Sequence, residues 1–216
     1  DNSDEQLQAL SDEEKRLEEQ CVNQADELSK GRRKAAKSIE KEMTERLVPL
    51  GIPQVRFTIE ITGKPLSQAG SDKICFLFSA NTNAPMLPIA EVASGGEIAR
   101  VMLSLKAMIS NQVKLPTIIF DEIDTGVSGK IAEKMGHIMQ EMGACDRQVI
   151  SITHLPQIAA RGSYHYKVSK EESVLGTVTT MRMLNEEERL QEIAQMLSGA
   201  DITAAAIDNA KALLRP

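Results

Sequence analysis

The 216 residues include 25 Lys and Arg against 31 Asp and Glu, a formal net charge of −6, with 42% hydrophobic residues and only 3% aromatics, none of them Trp. This is the balance of a globular domain with a buriable core; it argues against an overall basic nucleic-acid binder and against base stacking on aromatic platforms, while leaving room for a local basic stripe. Cys21, Cys75 and Cys145 are far apart with no C-x-x-C pair, which fits reduced thiols of a cytosolic protein better than a zinc site or disulfide framework.

The chain opens "DNSDEQLQAL", without Met and already amphipathic, so it reads as a piece of a longer protein. Nothing resembles a signal peptide, and no apolar run approaches the ~18 residues of a membrane span. From about Gln6 to Leu47 there is no Pro and one Gly. Leu10, Leu17, Cys21, Leu28 and Ala35 fit the a/d positions of one heptad frame, which predicts a long coiled-coil helix. Leu28, Ala35, Ile39 and Met43 define its apolar face, and "PLGIP" ends it. Val55–Ile61 alternates as a half-buried strand, Lys73–Ala80 is a second strand, and "NTNAPMLPI" is a loop.

A helix is predicted over Gly95–Asn111. "PTIIF" (Pro116–Phe120) is all apolar, the pattern of a parallel strand covered on both faces. A helix over Val127–Met142 and a strand at Gln148–Thr153 complete a βαβ unit. "YHYKVSK" and "TVTTMRML" predict an edge hairpin, and helices at about Glu186–Leu197 and Ile202–Leu214 close the chain. The fold class is α/β.

The chemistry concentrates in two places. "EVASGGEIARVMLSLK" puts Ser94, Gly95 and Gly96 before a helix, where free N–H groups and the dipole favour phosphate. A loop that grips its own nucleotide would continue as G-x-x-x-x-G-K-[ST], and that pattern is absent from the 216 residues. The first buried strand runs into "DEIDTGVSG". Asp121 there can hold Mg²⁺, usually through water, and Glu122 can orient and deprotonate an attacking water. The competing interpretation is an acidic loop that caps the next helix. The second strand ends in "THLPQ", so His154 lies at the matching edge, where it can hydrogen-bond a phosphate. His137 and His165 lack that placement and read as structural. Ser128 does not make a nucleophile elbow, since Lys130 breaks G-x-S-x-G.

"ASGGE", a helix, "IIFDE", a Gly/Ser loop and "ITH" follow the motif order of ATP-binding-cassette ATPases. By resemblance these are a signature motif (Ser94, Gly95, Gly96, Glu97), a Walker B motif ending at Asp121 and Glu122, a D-loop (Asp124, Gly126, Ser128, Gly129) and a switch histidine (His154). Ala93 stands where the common signature has Leu. "DEID" is closer to SMC-type heads than to the "DEPTSALD" of transporters. "ASGGEIARVMLSLK", "FDEIDTGVSG", "THLPQIAARG" and "RLQEIAQMLSG" together resemble the RecN family of bacterial double-strand-break repair proteins, relatives of SMC proteins.

That resemblance implies the C-terminal lobe of an ABC/SMC-type ATPase head with a mostly parallel sheet (49–216), led by a returning coiled-coil arm (1–48). It implies ATP and Mg²⁺, an N-terminal Walker A lobe of the same protein, and a second head in a homodimer whose ATP meets Ser94–Gly96. It implies ATP hydrolysis by the full-length protein in DNA repair and recombination, none by the isolated piece, and a cytoplasmic, nucleoid-associated location without membrane. Lys30, Arg33, Lys34, Lys37 and Lys41 fall on one helical face near the arm–head junction. They are the candidate sequence-independent contact to DNA phosphates, against a plain solvated face diluted by Glu40, Glu42 and Glu45. The rival expectations are a nucleotide-binding domain of another ABC ATPase, which would need a P-loop upstream of the signature, and a non-catalytic dimerisation or DNA-binding module.

Overall fold

A computed structural model describes residues 2–92, 94–110, 113, 115–144, 147–173, 176–199 and 201–215. The expectations for Ala93, Asn111 and Cys145 fall outside them. Chain contacts divide the molecule into two compact units, 1–48 with 52–93, and 49–51 with 94–216.

The first unit is one helix and a small sheet. Helix α1 (Asn2–Leu47) is continuous, as the absence of Pro predicts, and hands over to a short 3₁₀ turn at Val48–Leu50. Strands β1 (Arg56–Ser67), β2 (Gly70–Ser79) and β3 (Leu87–Pro88) form an antiparallel sheet in chain order. Register pairs Phe57 with Phe78, Ile59 with Phe76 and Ile61 with Ile74, so one apolar face forms. Helix α1 packs on β1 and β2. Ala25, Ala36, Met43 and Leu47 are its buried positions, at intervals that are sums of three- and four-residue steps.

This corrects the predicted helix face. Ala35 is exposed and Ala36 is buried. The prediction holds for Met43, which is buried, and for Ile39, which is half-buried, while the heptad residues Leu10, Leu17 and Leu28 are 68%, 47% and 43% exposed, with Leu28 at the margin of the sheet beside Gly70. One helix therefore carries two apolar stripes. Polar residues clamp the sheet-facing one. Arg32 Nη1 and Ser29 Oγ donate to the buried Asp72 carboxylate at 3.0 and 2.8 Å, Arg32 Nη2 donates to Ala69 O at 2.8 Å, and Ile59 N donates to Glu40 Oε1 at 2.7 Å. The Arg32 guanidinium and then the Ser29 hydroxyl hold the Asp72 carboxyl below the usual carboxylate range.

The second unit contains the predicted βαβ element. Helix α2 (Gly95–Ser110) leads to β4 (Thr117–Asp121), α3 (Gly129–Gly143) and β5 (Gln148–Ile152). β4 and β5 pair in parallel, Thr117 with Gln148 through Asp121 with Ile152. Ile118 and Phe120 are buried with Leu103, Ala107, Ala132, Met135 and Met139 from α2 and α3. The expectation that this strand is covered on both faces is corrected: Ile119 is 58% exposed, and Ile150 and Ile152 are also exposed. Helices α2 and α3 supply cover to one face only.

The chain then runs through α4 (Pro156–Ala159) to the predicted hairpin, β6 (Tyr166–Ser173) against β7 (Gly176–Met183). Helices α5 (Glu186–Ser198) and α6 (Ala204–Leu214) pack on each other around Ile193, Ala194, Ala206 and Ala210. Helix α5 starts with a full capping box. Glu188 N donates to Asn185 Oδ1 at 2.9 Å, and Asn185 N donates to Glu188 Oε2 at 3.0 Å. Among the described residues, no helix is long and apolar enough to cross a membrane.

Candidate functional site

The parallel register brings the ends of β4 and β5 side by side. Asp121 pairs with Ile152, so Glu122 and the Thr153–His154 segment leave the sheet at the same edge. Glu122 N still donates to Ile152 O at 3.3 Å. The backbone then reverses sharply. Glu122 has φ of 49°, the one positive φ of a non-glycine among the described residues. Such a conformation costs a residue with a Cβ about 1–2 kcal/mol and is concentrated at functional sites. It leaves the carboxylates of Asp121 and Glu122 both exposed at the strand end. Thr125 Oγ1 donates to Glu122 O at 3.0 Å and closes the turn.

The loop residues separate by burial. Gly126 (φ 74°), Ser128 and Gly129 (φ 55°) are exposed, and Ser128 stands at the N-cap of α3. Asp124, expected among the nucleotide contacts, is only 1% exposed, and its carboxylate meets protein donors instead. Thr153 Oγ1 donates to Asp124 Oδ2, His154 N donates to it at 3.2 Å, and His154 Nδ1 lies 3.4 Å away. Leu155 N in turn donates to Thr153 Oγ1 at 3.0 Å. The His154 side chain is 70% exposed despite this buried anchor. Thr153 is the residue that the motif argument passed over. A hydroxyl just before His154, where the strand gives way to a turn, was the available signal, since Thr readily bonds backbone groups two residues on.

At the start of α2, Ser94 acts as the helix cap. Glu97 N donates to Ser94 Oγ at 3.4 Å, and Ile98 N donates to Ser94 O at 3.1 Å. The two glycines differ. A Cβ on Gly95 would meet nothing within 4 Å, whereas one on Gly96 would lie 2.7 Å from Thr125 O. Gly95 leaves open space beside the helix N-terminus. Gly96 is required by the turn that follows Glu122. Glu97 sits in the first turn of α2, where the dipole favours an anion.

Among the described residues, no three His, Cys, Asp or Glu side chains gather into a metal cage. Asp121 presents one exposed carboxylate at the strand end. That suits Mg²⁺, which usually keeps several waters and takes one or two carboxylates together with substrate phosphates. His137 is exposed on α3. His165 is half-buried, and desolvation followed by the charge of Arg189 pushes its ring below the ordinary imidazole range.

In the first unit, Lys30, Arg33, Lys34, Lys37 and Lys41 are all exposed on α1. Only Lys41 has an ion pair among the described residues, 3.9 Å to Glu45.

No protein-family model matches the chain. It is 38% identical over 216 residues to the DNA repair protein RecN of Vibrio cholerae, which covers 99% of the chain and 39% of that protein. It is 34% identical over 231 residues to RecN of Bacillus subtilis, covering all of the chain and 40% of that protein. The chain thus spans about two-fifths of the length of these curated relatives. Among solved structures, an Smc head domain with a coiled coil and joint from Pyrococcus yayanosii matches 80% of the chain and 32% of that chain, with a TM-score of 0.59 and 19% identity. A structure from work on ATP-driven dimerisation and DNA-stimulated activation of SMC ATPases matches 78% of the chain and 96% of that one, with a TM-score of 0.52 and 18% identity. The chain is therefore related by sequence, over nearly all of its length, to the RecN DNA repair proteins, and it folds as an α/β segment of the SMC-head type.

Proposed function

We propose that this chain is the C-terminal lobe (49–216) and returning coiled-coil arm (1–48) of a RecN-like ATPase, and that it supplies half of a composite ATP site. The observation that carries the reading is the convergence of Asp121, Glu122 and His154 at the ends of two adjacent parallel strands, with Glu122 in a left-handed conformation. Exposed acidic groups at the carboxyl ends of parallel strands lie where α/β sheets bind ligands.

Each residue then has a task. Glu122 takes the proton of the attacking water and orients it in line with the γ-phosphate. His154 hydrogen-bonds the γ-phosphate from the neighbouring strand end. Asp121 holds Mg²⁺ through water. The metal, when bound with nucleotide, supplies charge neutralisation on the phosphate oxygens. Ser94 and Gly95 offer a hydroxyl and a free N–H at a helix N-terminus to a phosphate held by a second head. Ser128, Gly126 and Gly129 line the same exposed loop. The P-loop lysine comes from the N-terminal lobe of the same protein. ATP joins two heads, and hydrolysis releases them. The exposed Lys30, Arg33, Lys34, Lys37 and Lys41 stripe contacts DNA phosphates without reading sequence. The cycle would couple head engagement to holding broken DNA in the bacterial cytoplasm.

The test mixes the chain with a separately produced P-loop lobe of the same protein and measures phosphate release. Neither part alone should turn over ATP. The mixture should, and Glu122→Gln should abolish turnover while preserving ATP-dependent pairing of heads. Turnover by the 216 residues alone, or turnover that survives Glu122→Gln, refutes the reading.

A further inference from the structure

The Asp124 carboxylate is nearly inaccessible, yet every donor it meets comes from one short segment. Thr153 Oγ1 and His154 N–H both point at Oδ2, and His154 Nδ1 is 3.4 Å from the same oxygen. The other oxygen, Oδ1, is buried with no hydrogen-bond partner. Burying a carboxylate costs free energy that its hydrogen bonds must offset, so the groups that donate to it are firmly held. Here they define where β5 stops and how the next two residues leave it. Leu155 N–H donates to Thr153 Oγ1, which donates to Asp124, so three consecutive residues are tied to one carboxylate.

The ring of His154 is 70% exposed. Free exposed imidazoles sample several rotamers, and a catalytic contact to phosphate needs one of them. We propose that Asp124 is the positioning residue for His154. Its carboxylate fixes the Thr153–His154 backbone and draws Nδ1 inward, so that Nε2 is the nitrogen presented to solvent and to an incoming phosphate. Thr153 is the second member of this device. The inference rests on the reading of His154 as a phosphate contact, and it moves Asp124 from a nucleotide ligand to a residue that acts through its neighbour.

The first measurement needs no nucleotide. With ¹⁵N-labelled histidine in the 216-residue chain, the wild type should show distinct His154 Nδ1 and Nε2 resonances and slow amide exchange at His154. Asp124→Asn and Thr153→Val should speed that exchange and collapse the ring nitrogens toward an averaged, free imidazole, while Thr153→Ser should restore both. Thr153→Val deletes one hydroxyl on a folded background, so the test stands even if Asp124→Asn does not fold. The second measurement uses the chain with its P-loop lobe. Asp124→Asn and Thr153→Val should lower kcat by roughly 10- to 100-fold with little change in KM, the scale of a misplaced contact. Unchanged ring signals and exchange in both variants overturn the proposal, as does full kcat in variants whose His154 has been released. If no ATP turnover occurs with any variant or with wild type, the ATPase reading fails by itself and the spectroscopic result still decides the role of Asp124.

Discussion

The two faces of β4 differ more than its sequence suggests. Ile118 and Phe120 are 3% and 2% exposed, whereas Ile119 between them is 58% exposed. All three are apolar, so chemistry does not separate them. What separates them is that α2 and α3 cover one face, while among the described residues the other face stays open at Ile119. The same contrast recurs at the site. Gly96 is pressed against Thr125 while Gly95 is open, and Asp124 is buried while Asp121 and Glu122 are exposed. The closed member of each pair builds the fold. The open member is available to something else, which in our reading is the rest of a composite ATP site.

The largest test of this contrast is in the core. Phe120→Ala should cost about 3–5 kcal/mol in urea unfolding, as expected for removing a buried aromatic, and Ile119→Ala less than about 1 kcal/mol. Equal costs would mean that the open face is not open in solution. A charged substitution, Ile119→Glu, sharpens the point: it should leave the stability of the chain nearly unchanged and block turnover with the P-loop lobe.

The glycine pair should follow. Gly96→Ala should destabilise by about 1–3 kcal/mol, because its Cβ would clash with the Thr125 carbonyl. Gly95→Ala should be neutral or slightly stabilising on the scale of about 0.5–1 kcal/mol, since the backbone is helical there and the space is free. Smaller again is Glu122→Gly. It relieves the left-handed strain of about 1–2 kcal/mol but adds chain entropy, so thermal unfolding should show a gain of about 1 kcal/mol or less, with the proposed turnover lost.

The smallest effect is a pH dependence. The unfolded His165 ring titrates near about 6.5. Burial, Arg189 and Lys167 hold the folded ring lower against the opposing charge of Glu192. Between those two values the unfolded chain binds more protons, so stability is intact above about 6.5 and declines as pH falls through that window. His165→Gln should flatten this slope in melts between pH 7.5 and 5.5.

Much of this arrangement was legible in the sequence because it rests on local rules. The helix from Asn2 to Leu47, the βαβ unit and the hairpin follow from periodicity and from where Pro and Gly fall. The phase of α1 was not legible. Ala35 and Ala36 are adjacent, and a 3.5-residue seam drifts against a 3.6-residue helix, so the buried stripe is decided by tertiary contact. The Asp72 clamp needs the register of β2 against α1, which no local pattern encodes. The one-sided cover of β4 depends on which elements are present in space. A run of apolar residues reads the same whether its second face is covered by this chain or by another. Asp124 looked like its exposed neighbours in "DEIDTGVSG" because burial there is set by the left-handed turn at Glu122, and glutamate carries no propensity signal for that turn.

The central claim is that this polypeptide contributes groups to an ATP site without closing one on its own. Isothermal titration calorimetry of ATP with Mg²⁺ measures this directly. Our account predicts no saturable heat from the chain alone and saturable binding once the P-loop lobe is added. Tight, stoichiometric ATP binding by the 216 residues by themselves would contradict it.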